Sequence, residues 1–398
     1  MASTYLYRTN TSATNTYTFS AWVKLANPTG NDNQWIFMNN DSGLMIRGGS
    51  AGASGEQFHF YNNSNTTNYY SGAKRRDVSG WYHIVLSSNS GTGTLYVNGE
   101  TDKTGIVVPN LGTATNGFVI GKHSGANTQY FDGLMSHIHF IDGTAYDASA
   151  FGQTNATTGE WSINASPSVT YGSQGFFILK DGNSVTDQSG NSNNLTVGGG
   201  TLTKSEDNPS NVFATWNRLD VNLGDSTFTY GNTRWNSESG GNKCWTRSTL
   251  GMTSGKYYFE FKVETPSNNC AIGISDRPAP NLTDELGAGA YDYCYQSSNG
   301  ETINNTTQSS SYGNSYTTND IVMCALDLDN NKLYFGKNGT WQNSGDPTSG
   351  STGTGAAYSV TAPSSTNGGA YFFCGGDLTG ANNVRLLANF GNGIFADN

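Results

Sequence analysis

Short runs of alternating apolar and polar residues recur along the first half of the chain. In Tyr17–Leu25 every odd position is apolar, and three of the four even positions are polar. Successive strand side chains point to opposite faces, so this pattern predicts a strand with one face in a core. No apolar period near 3.6 is long enough to predict a helix. Similar runs predict six further strands at 34–38, 57–61, 81–86, 94–97, 118–121 and 134–141.

A second set of strand patterns occupies the later part of the chain. In residues 257–264 the odd positions are apolar, and the even positions other than Tyr258 are charged. Runs 321–329 and 332–335 meet at the turn Asp329-Asn330-Asn331, which is a hairpin signal. A length of 398 residues also suits two domains better than one. The sequence therefore predicts an all-β protein of two domains.

Composition limits the classes of function. Charged residues are only 13% of the chain, against a usual share of about 25%, and the net charge is −10. The one basic cluster, Lys74-Arg75-Arg76, is better interpreted as a solvated turn, so we expect no nucleic-acid partner. Residues 1–20 lack a signal-peptide pattern, and no apolar run is long enough to enter a membrane.

The five cysteines indicate a reducing compartment. They lie at positions 244, 270, 294, 324 and 374, all in the second half. An odd number without Cys-x-x-Cys spacing fits neither a disulfide framework nor a zinc site. We therefore expect buried, reduced thiols and synthesis in a cytosol.

Four motifs occur in order in the first half, at residues 19–24, 80–86, 94–99 and 131–138. Their order resembles the laminin-G-like branch of the concanavalin A-type lectin/glucanase fold, over roughly residues 3–145. That resemblance implies a jelly-roll sandwich of two antiparallel sheets.

The segment that usually opens such a domain is found late in this chain. Residues 175–181 and 187–196 resemble it. We therefore expect residues 170–200 to fold back and complete the first sandwich, as in a circular permutation. The Thr- and Asn-rich stretch 144–169 is expected to cross the surface. This gives a first domain of residues 1–205.

The second half has its own ordered motifs, at residues 255–260, 271–275, 320–323, 326–329, 335–339 and 384–391. Their order resembles a SPRY domain, which is also a bent β-sandwich. The resemblance covers roughly 210–396 and implies a second domain of residues 206–398. The fold class expected for the whole chain is thus two tandem antiparallel β-sandwiches.

The sequence offers no catalytic residues. Glucanases of the lectin-like fold need two carboxylates at the scissile bond, and their Glu-x-Asp-x-x-Glu string is missing. Glu260 and Glu264 share a strand face but alternate with Lys262, which indicates a solvated surface. His137 and His139 would point the same way on a strand, yet no acidic residue or cysteine lies near enough in sequence to complete a metal site. We expect a structural histidine pair and a protein that is not an enzyme.

Calcium remains open, because some relatives of the first sandwich hold it with acidic loop residues. No dense cluster of oxygen ligands occurs in that half. We therefore assign no metal ligand and no cofactor. The candidates by residue type are Asp132, Asp142, Asp181 and Asp187.

Tyrosine-rich loops are the candidate binding sites. Aromatic rings can stack on the apolar faces of sugars, with Asn and Asp holding the hydroxyls. The alternative is that these rings belong to the cores. SPRY domains usually bind peptides through loops at one end, where Tyr291, Tyr293 and Trp341 could lie. The ligand-binding candidates are Tyr61, Tyr69, Tyr70, Tyr291, Tyr293 and Trp341.

These features favour a non-enzymatic surface protein of a tailed-phage virion, either a fibre or a capsid decoration that adheres to host-surface glycans. The string 203–215 and the permuted first domain resemble phage structural proteins. The expected partners are capsid or tail proteins and host glycans, and homo-oligomerisation stays open. A purely structural decoration protein and a secreted polysaccharide-binding or polysaccharide-cleaving protein are the alternatives.

Overall fold

The chain forms two compact units, residues 1–212 and 213–398. All strand pairings among the described residues are antiparallel, and the predicted fold class of two all-β sandwiches is confirmed. No helix among the described residues is long and apolar enough to cross a membrane. The computed structural model describes residues 3–393 except 10, 31, 40, 50–51, 53–54, 64–66, 112–116, 126–127, 181, 183, 222–225, 238–242, 266–269, 279–283, 310–311, 365–367 and 381–383.

The first unit contains fifteen described strands. They are β1 (Tyr5–Arg8), β2 (Tyr17–Leu25), β3 (Gln34–Asn39), β4 (Ser42–Ile46), β5 (Phe58–Asn62), β6 (Thr67–Tyr70), β7 (Tyr82–Asn89), β8 (Thr92–Val97), β9 (Glu100–Val107), β10 (Phe118–Ile120), β11 (Gly133–Asp142), β12 (Gly152–Thr154), β13 (Trp161–Ile163), β14 (Phe176–Ile178) and β15 (Thr196–Gly198).

Two sheets enclose the core of this unit. Sheet A has the order β15-β1-β10-β3-β4-β5-β6, and sheet B has the order β14-β11-β2-β7-β8-β9. Inward-facing rings and aliphatic side chains from both sheets pack between them, for example Phe19 against Phe37 with centroids 4.1 Å apart. The period-two patterns of the sequence therefore supply one core-facing side to each sheet.

Strand β2 departs from the expected half-exposed pattern, because all nine of its residues are buried. Thr18 binds the backbone of residues 144 and 146, and the Ser20 hydroxyl lies 2.9 Å from Nε2 of His83. The stretch 144–169 packs Phe151 and Trp161 over the outer side of sheet B. Both faces of β2 are thus covered, and its polar residues are satisfied by hydrogen bonds.

The two sheets are completed by strands that come late in the unit. Strand β14 pairs with β11 at one edge of sheet B, and β15 pairs with β1 at the edge of sheet A. Residues 176–198 therefore contribute a strand to each sheet.

Asp207 also belongs to the first unit. Its carboxylate lies 2.6 Å from Nζ of Lys24 and accepts a 2.9 Å hydrogen bond from Nε1 of Trp81. This contact keeps residues after 205 on the first sandwich, and the unit ends at residue 212.

The second unit also contains fifteen described strands. They are β16 (Trp216–Val221), β17 (Ser226–Thr229), β18 (Arg234–Ser237), β19 (Cys244–Ser248), β20 (Lys256–Thr265), β21 (Cys270–Ser275), β22 (Tyr293–Gln296), β23 (Thr302–Asn304), β24 (Thr307–Gln308), β25 (Ile321–Asp327), β26 (Lys332–Lys337), β27 (Thr340–Trp341), β28 (Tyr358–Ser359), β29 (Phe372–Asp377) and β30 (Arg385–Asn389).

These strands form a second sandwich. Sheet C has the order β16-β19-β29-β21-β22-β23-β24, and sheet D has the order β17-β18-β30-β20-β25-β26-β27, with β28 also paired to β26. Trp216, Phe259 and Tyr295 are among the rings packed between the sheets. All five cysteines are buried and free of disulfides, as the sequence predicted.

Two local details differ from the expected strand geometry. A β-bulge lies between Ser136 and His139, and His137 has a φ of 47°. His137 and His139 are therefore not successive same-face residues of a regular strand. Tyr257 belongs to the apolar face predicted for residues 257–263, but it lies near the start of β20 and is 38% exposed.

Candidate functional site

Aromatic rings line the outer side of sheet A, the side turned away from the core. Partners in register on antiparallel strands project to the same side, so the pairings place these residues in two parallel rows. One row contains Trp35, Met45, His59 and Tyr70. The other contains Tyr7, Val119, Met38, Gly43 and Tyr61. We call the rings of Tyr5, Tyr7, Trp35, Tyr61, Tyr70 and Tyr130 the aromatic face.

Trp35 lies at the centre of the aromatic face. Its ring makes edge contacts with Tyr61 (6.4 Å between centroids) and with His123 (5.2 Å). Its Nε1 donates a 2.9 Å hydrogen bond to Oε1 of Gln129. Because the 121–130 segment supplies both His123 and Gln129, it holds the indole in one orientation. Trp35 is only 3% exposed.

Tyr70 is stacked on a buried histidine. The rings of His59 and Tyr70 are nearly parallel, with centroids 4.5 Å apart, and the Arg47 guanidinium lies 5.8 Å from the centre of the Tyr70 ring. Burial, with the nearby Arg47 charge, lowers the pKa of His59 to about 4. His59 is therefore neutral at pH 7 and acts as a flat support for Tyr70.

A second group of rings lies at the other end of the aromatic face. The Tyr5 ring centroid is 5.9 Å from that of Tyr7 and 6.5 Å from that of Tyr130. Nζ of Lys122 lies 4.4 Å from the centre of the Tyr5 ring, in cation–π contact. Tyr7 is 42% exposed, so this end presents a ring to solvent.

The arrangement suits a ligand that has both apolar faces and polar edges. Tyr7 is exposed at one end, and Tyr61 and Tyr70 are half-buried at the other. The Tyr61 hydroxyl donates to Oδ1 of Asn63 at 3.1 Å, so amide groups lie beside the rings. Aromatic surfaces with a few polar groups around them are typical of small-molecule sites.

The six predicted ligand-binding residues do not form one site. Tyr61 and Tyr70 both lie on the aromatic face, whereas Tyr69 packs against the core on the opposite side of β6. Adjacent strand residues point to opposite faces, so Tyr69 and Tyr70 cannot both face a ligand. The tip of that loop, residues 64–66, lies outside the described residues.

The three candidates in the second unit are also separated. Tyr293 is 4% exposed, and its ring contacts Tyr358 and Tyr371. Tyr291 packs against the same core. Trp341 lies instead on strand β27 of sheet D, where its ring meets Tyr258 edge-on at 6.1 Å.

Sequence reasoning missed several members of the aromatic face. Tyr5 and Tyr7 alternate with the core residue Leu6, and that pattern was available to find them. Trp35 lies in a predicted strand, but only the pairing register shows that it shares a row with Tyr70. Tyr130 is brought to the face by a loop that no periodicity predicts.

A segment of each unit matches a known domain family. Residues 2–149 match the concanavalin A-like lectin/glucanases superfamily, and residues 256–375 match the SPRY domain. The chain carries a lectin/glucanase-like domain followed by a SPRY domain. We refer to the first unit as the lectin-like domain and to the second as the SPRY domain.

Individual relatives are distant or cover little of the chain. The ATP-dependent RNA helicase DDX1 of Xenopus laevis is 32% identical over 93 residues, which are 23% of this chain and 12% of the helicase. The SPRY domain of human HERC1 is 19% identical with a TM-score of 0.34, covering 45% of this chain and 99% of that structure. A Bacteroides ovatus protein described as carbohydrate binding is 20% identical with a TM-score of 0.36, covering 50% of this chain and 57% of that one.

Two of the four calcium candidates of the lectin-like domain, Asp142 and Asp187, are engaged in local hydrogen bonds. The Asp187 carboxylate accepts from the backbone N–H groups of residues 177, 189 and 193, and Asp142 accepts from the Ser173 hydroxyl. Asp132 lies in the segment before β11, and Asp181 is outside the described residues. No group of three His, Cys, Asp or Glu residues in the described part of the chain could hold a metal ion.

Other charged candidates of the lectin-like domain are also paired. Arg76 and Lys74 both contact the Glu56 carboxylate, and Arg75 lies 2.7 Å from Asp102. Each residue of the basic cluster thus has an acidic partner.

The histidine of the 80–86 motif is held by hydrogen bonds on both sides. Nδ1 of His83 accepts a 2.9 Å hydrogen bond from Nε1 of Trp161. The proton of the neutral ring is therefore on Nε2, which faces the Ser20 hydroxyl.

Proposed function

We propose that this chain is a non-enzymatic carbohydrate-binding protein that holds glycans on the aromatic face of its lectin-like domain. The observation that carries the proposal is the pair of in-register rows that place Tyr7, Tyr61 and Tyr70 on one side of sheet A. Membership of the domain in the lectin/glucanases superfamily supports the same ligand class. In this proposal the rings stack on apolar sugar faces, and neighbouring amides bind the hydroxyls.

Glycan-array binding by the full chain tests the proposal. We expect a defined set of glycans to bind, and the double substitution Tyr61→Ala/Tyr70→Ala to weaken binding about tenfold or more, because each aromatic contact contributes roughly 0.5–1.5 kcal/mol beyond its buried area. Tyr230→Ala, which removes a 47% exposed tyrosine of the SPRY domain, is the matched control. Unchanged binding in the double variant would remove the aromatic face as the site.

The biological setting belongs to the same proposal: the chain acts on the surface of a tailed-phage virion, as a fibre or a capsid decoration. A surface with few charges, buried reduced cysteines and two recognition folds in tandem supports this setting. Immunogold labelling of purified particles tests it. Label on the head supports decoration, label at the tail tip supports host attachment, and unlabelled particles would refute the virion setting.

A further inference from the structure

The outer side of sheet D carries a second, separate set of rings. Tyr258, Ala325 and Tyr334 are in register on the adjacent strands β20, β25 and β26, so all three project to the same side. Neighbouring strands lie about 4.8 Å apart, which places the backbones of the two tyrosines about 9.6 Å apart. The small side chain of Ala325 between them leaves a slot, with the exposed ring of Tyr258 on one side and the buried Tyr334 on the other.

A tryptophan closes one end of this slot. The next row along the same strands contains Glu260, Met323, Gly336 and Trp341. Gly336 has no side chain, and the Trp341 ring lies so close that a Cβ there would be 3.1 Å from it. The indole therefore lies flat across β26 and reaches the exposed ring of Tyr258.

The resulting cleft has a volume of about 240 Å³. Pockets for drug-sized ligands have volumes of roughly 300–1,000 Å³, so this cleft suits a single ring with its substituents. Tyr257 and Tyr258 at its edge are 38% and 48% exposed. The two rings point to opposite sides of β20, so Tyr258 is the one that shares the outer side with Ala325, and it presents an exposed ring there.

Polar groups lie at both ends of the cleft. At one end Nζ of Lys256 is 3.4 Å from Oδ2 of Asp327. At the other end the Tyr258 hydroxyl donates to the Glu260 carboxylate. Burial, assisted by Glu260, raises the pKa of the Tyr258 phenol, so the hydroxyl stays protonated at neutral pH.

We propose that this cleft of the SPRY domain binds one neutral pyranose ring of a glycan, as a second site separate from the aromatic face. The ring would lie over Ala325 with one apolar face toward the contacting pair of rings Tyr258 and Trp341. Its hydroxyls would donate to the carboxylates of Glu260 and Asp327 and accept from Lys256. The ligand class rests on the proposed carbohydrate function of the chain.

Charge and size favour this ligand over others. Asp327 at one end of the cleft is paired with Lys256, so the Glu260 carboxylate at the other end is the charge that disfavours phosphate groups, and with them nucleotides and phosphorylated sugars. A proline-rich peptide would need an extended groove with room for several residues. The cleft has room for one ring.

Fluorine NMR of the full chain can observe the two sites separately. The chain has eight tryptophans, and 5-fluorotryptophan gives each a signal. Trp341→Phe assigns the signal of the cleft, and Trp35→Phe assigns the signal of the aromatic face. The probes are the methyl pyranosides of glucose, galactose, mannose and N-acetylglucosamine, together with a proline-rich decapeptide.

We expect at least one methyl pyranoside to shift the Trp341 signal in a saturable manner. Ala325→Leu fills the slot and should abolish that shift, and Tyr258→Ala should weaken binding about tenfold. Tyr230→Ala should change nothing. The remaining tryptophan signals report whether each variant is folded.

The two signals separate failure of this site from failure of the proposed function. If pyranosides shift Trp35 and leave Trp341 unmoved, the second site is refuted and carbohydrate binding by the lectin-like domain stands. A Trp341 shift that only the decapeptide produces would also refute the sugar site. A Trp341 shift with Trp35 unmoved would support the cleft, and the glycan-array test of Tyr61→Ala/Tyr70→Ala would decide on the aromatic face, because Trp35 is buried.

Discussion

Replacing Asp207 by alanine should destabilise the lectin-like domain without affecting the SPRY domain. The side chains of Lys24 and Asp207 are 3% and 0% exposed, and their charged atoms are 2.6 Å apart. Burial lowers the pKa of Lys24, and the Asp207 charge opposes that effect. The substitution would remove the carboxylate that keeps a buried ammonium group charged.

The expected loss in the free energy of unfolding is about 3–5 kcal/mol, the usual cost of removing one partner of a buried ion pair. The Trp81 N–H also loses its acceptor, and a buried unsatisfied donor costs about 1–3 kcal/mol, part of which is already included in the first figure. Glu206→Ala is the matched control. Its pair with Lys204 is about half exposed on both sides, so the expected loss is about 0–1 kcal/mol.

Urea unfolding of the full chain can be followed domain by domain. Hydrogen exchange of β2 peptides reports the lectin-like domain, and labelling of the five buried cysteines reports the SPRY domain alone. At a urea m-value of about 2–3 kcal/mol/M, the midpoint of the lectin-like domain should fall by about 1–2 M. The midpoint for cysteine labelling should stay unchanged.

A second substitution checks the mechanism. Lys24→Met in the Asp207→Ala background removes the stranded ammonium group and should restore part of the lost stability, because an apolar replacement of a buried pair is often neutral. If Asp207→Ala costs less than 1 kcal/mol, or if the double variant is as unstable as the single one, the argument from the buried charge is wrong.

Three further predictions concern acid, the late strands and one glycine. Burial lowers the pKa of His59 to about 4 and that of His83 to about 3 in the folded chain. Below pH 6.5 these histidines are therefore protonated in the unfolded chain but still neutral in the folded one, which favours unfolding. Stability of the lectin-like domain should be full above pH 6.5 and fall steadily toward pH 4, as thermal unfolding with hydrogen exchange would show; an unchanged melting temperature would contradict this. A chain ending at residue 149 leaves two sheet edges unpaired and should aggregate on size-exclusion chromatography, whereas residues 1–212 should stay in solution. In Gly273→Ala the new Cβ would be 1.9 Å from the Tyr293 carbonyl oxygen. This clash should lower the free energy of unfolding of the SPRY domain by about 1–3 kcal/mol. Its cysteines should then become labelled at a lower urea concentration.

Much of the strand arrangement could be predicted from alternation alone. Tyr17–Leu25 is a strand with the predicted bounds, and the predicted turn at 329–331 places Asn331 at a φ of 56°. Alternation could not show that Lys24 is buried, because its partner Asp207 is 183 residues away. A period-two pattern identifies the core side of a strand but carries no information on what covers its other side.

The candidate sites were harder to predict than the fold. Tyr61 and Tyr70 were chosen for loop composition, yet their neighbours on the aromatic face come from β1, β3 and a distant loop. Tyr258 and Trp341 are also brought together only by strand pairing. Ligand binding by the six tyrosine and tryptophan candidates stays a prediction, and the variants above test it for Tyr61, Tyr70 and Trp341.

The late position of β14 and β15 has a consequence for synthesis on the ribosome. At roughly 5–20 residues per second, several seconds pass between the emergence of β11 and that of β15. During that interval the nascent chain has two sheets that each lack an edge strand, and such edges pair readily with other chains. The yield of soluble protein should therefore depend on translation speed between residues 142 and 198, a stretch that contributes no ring to the aromatic face.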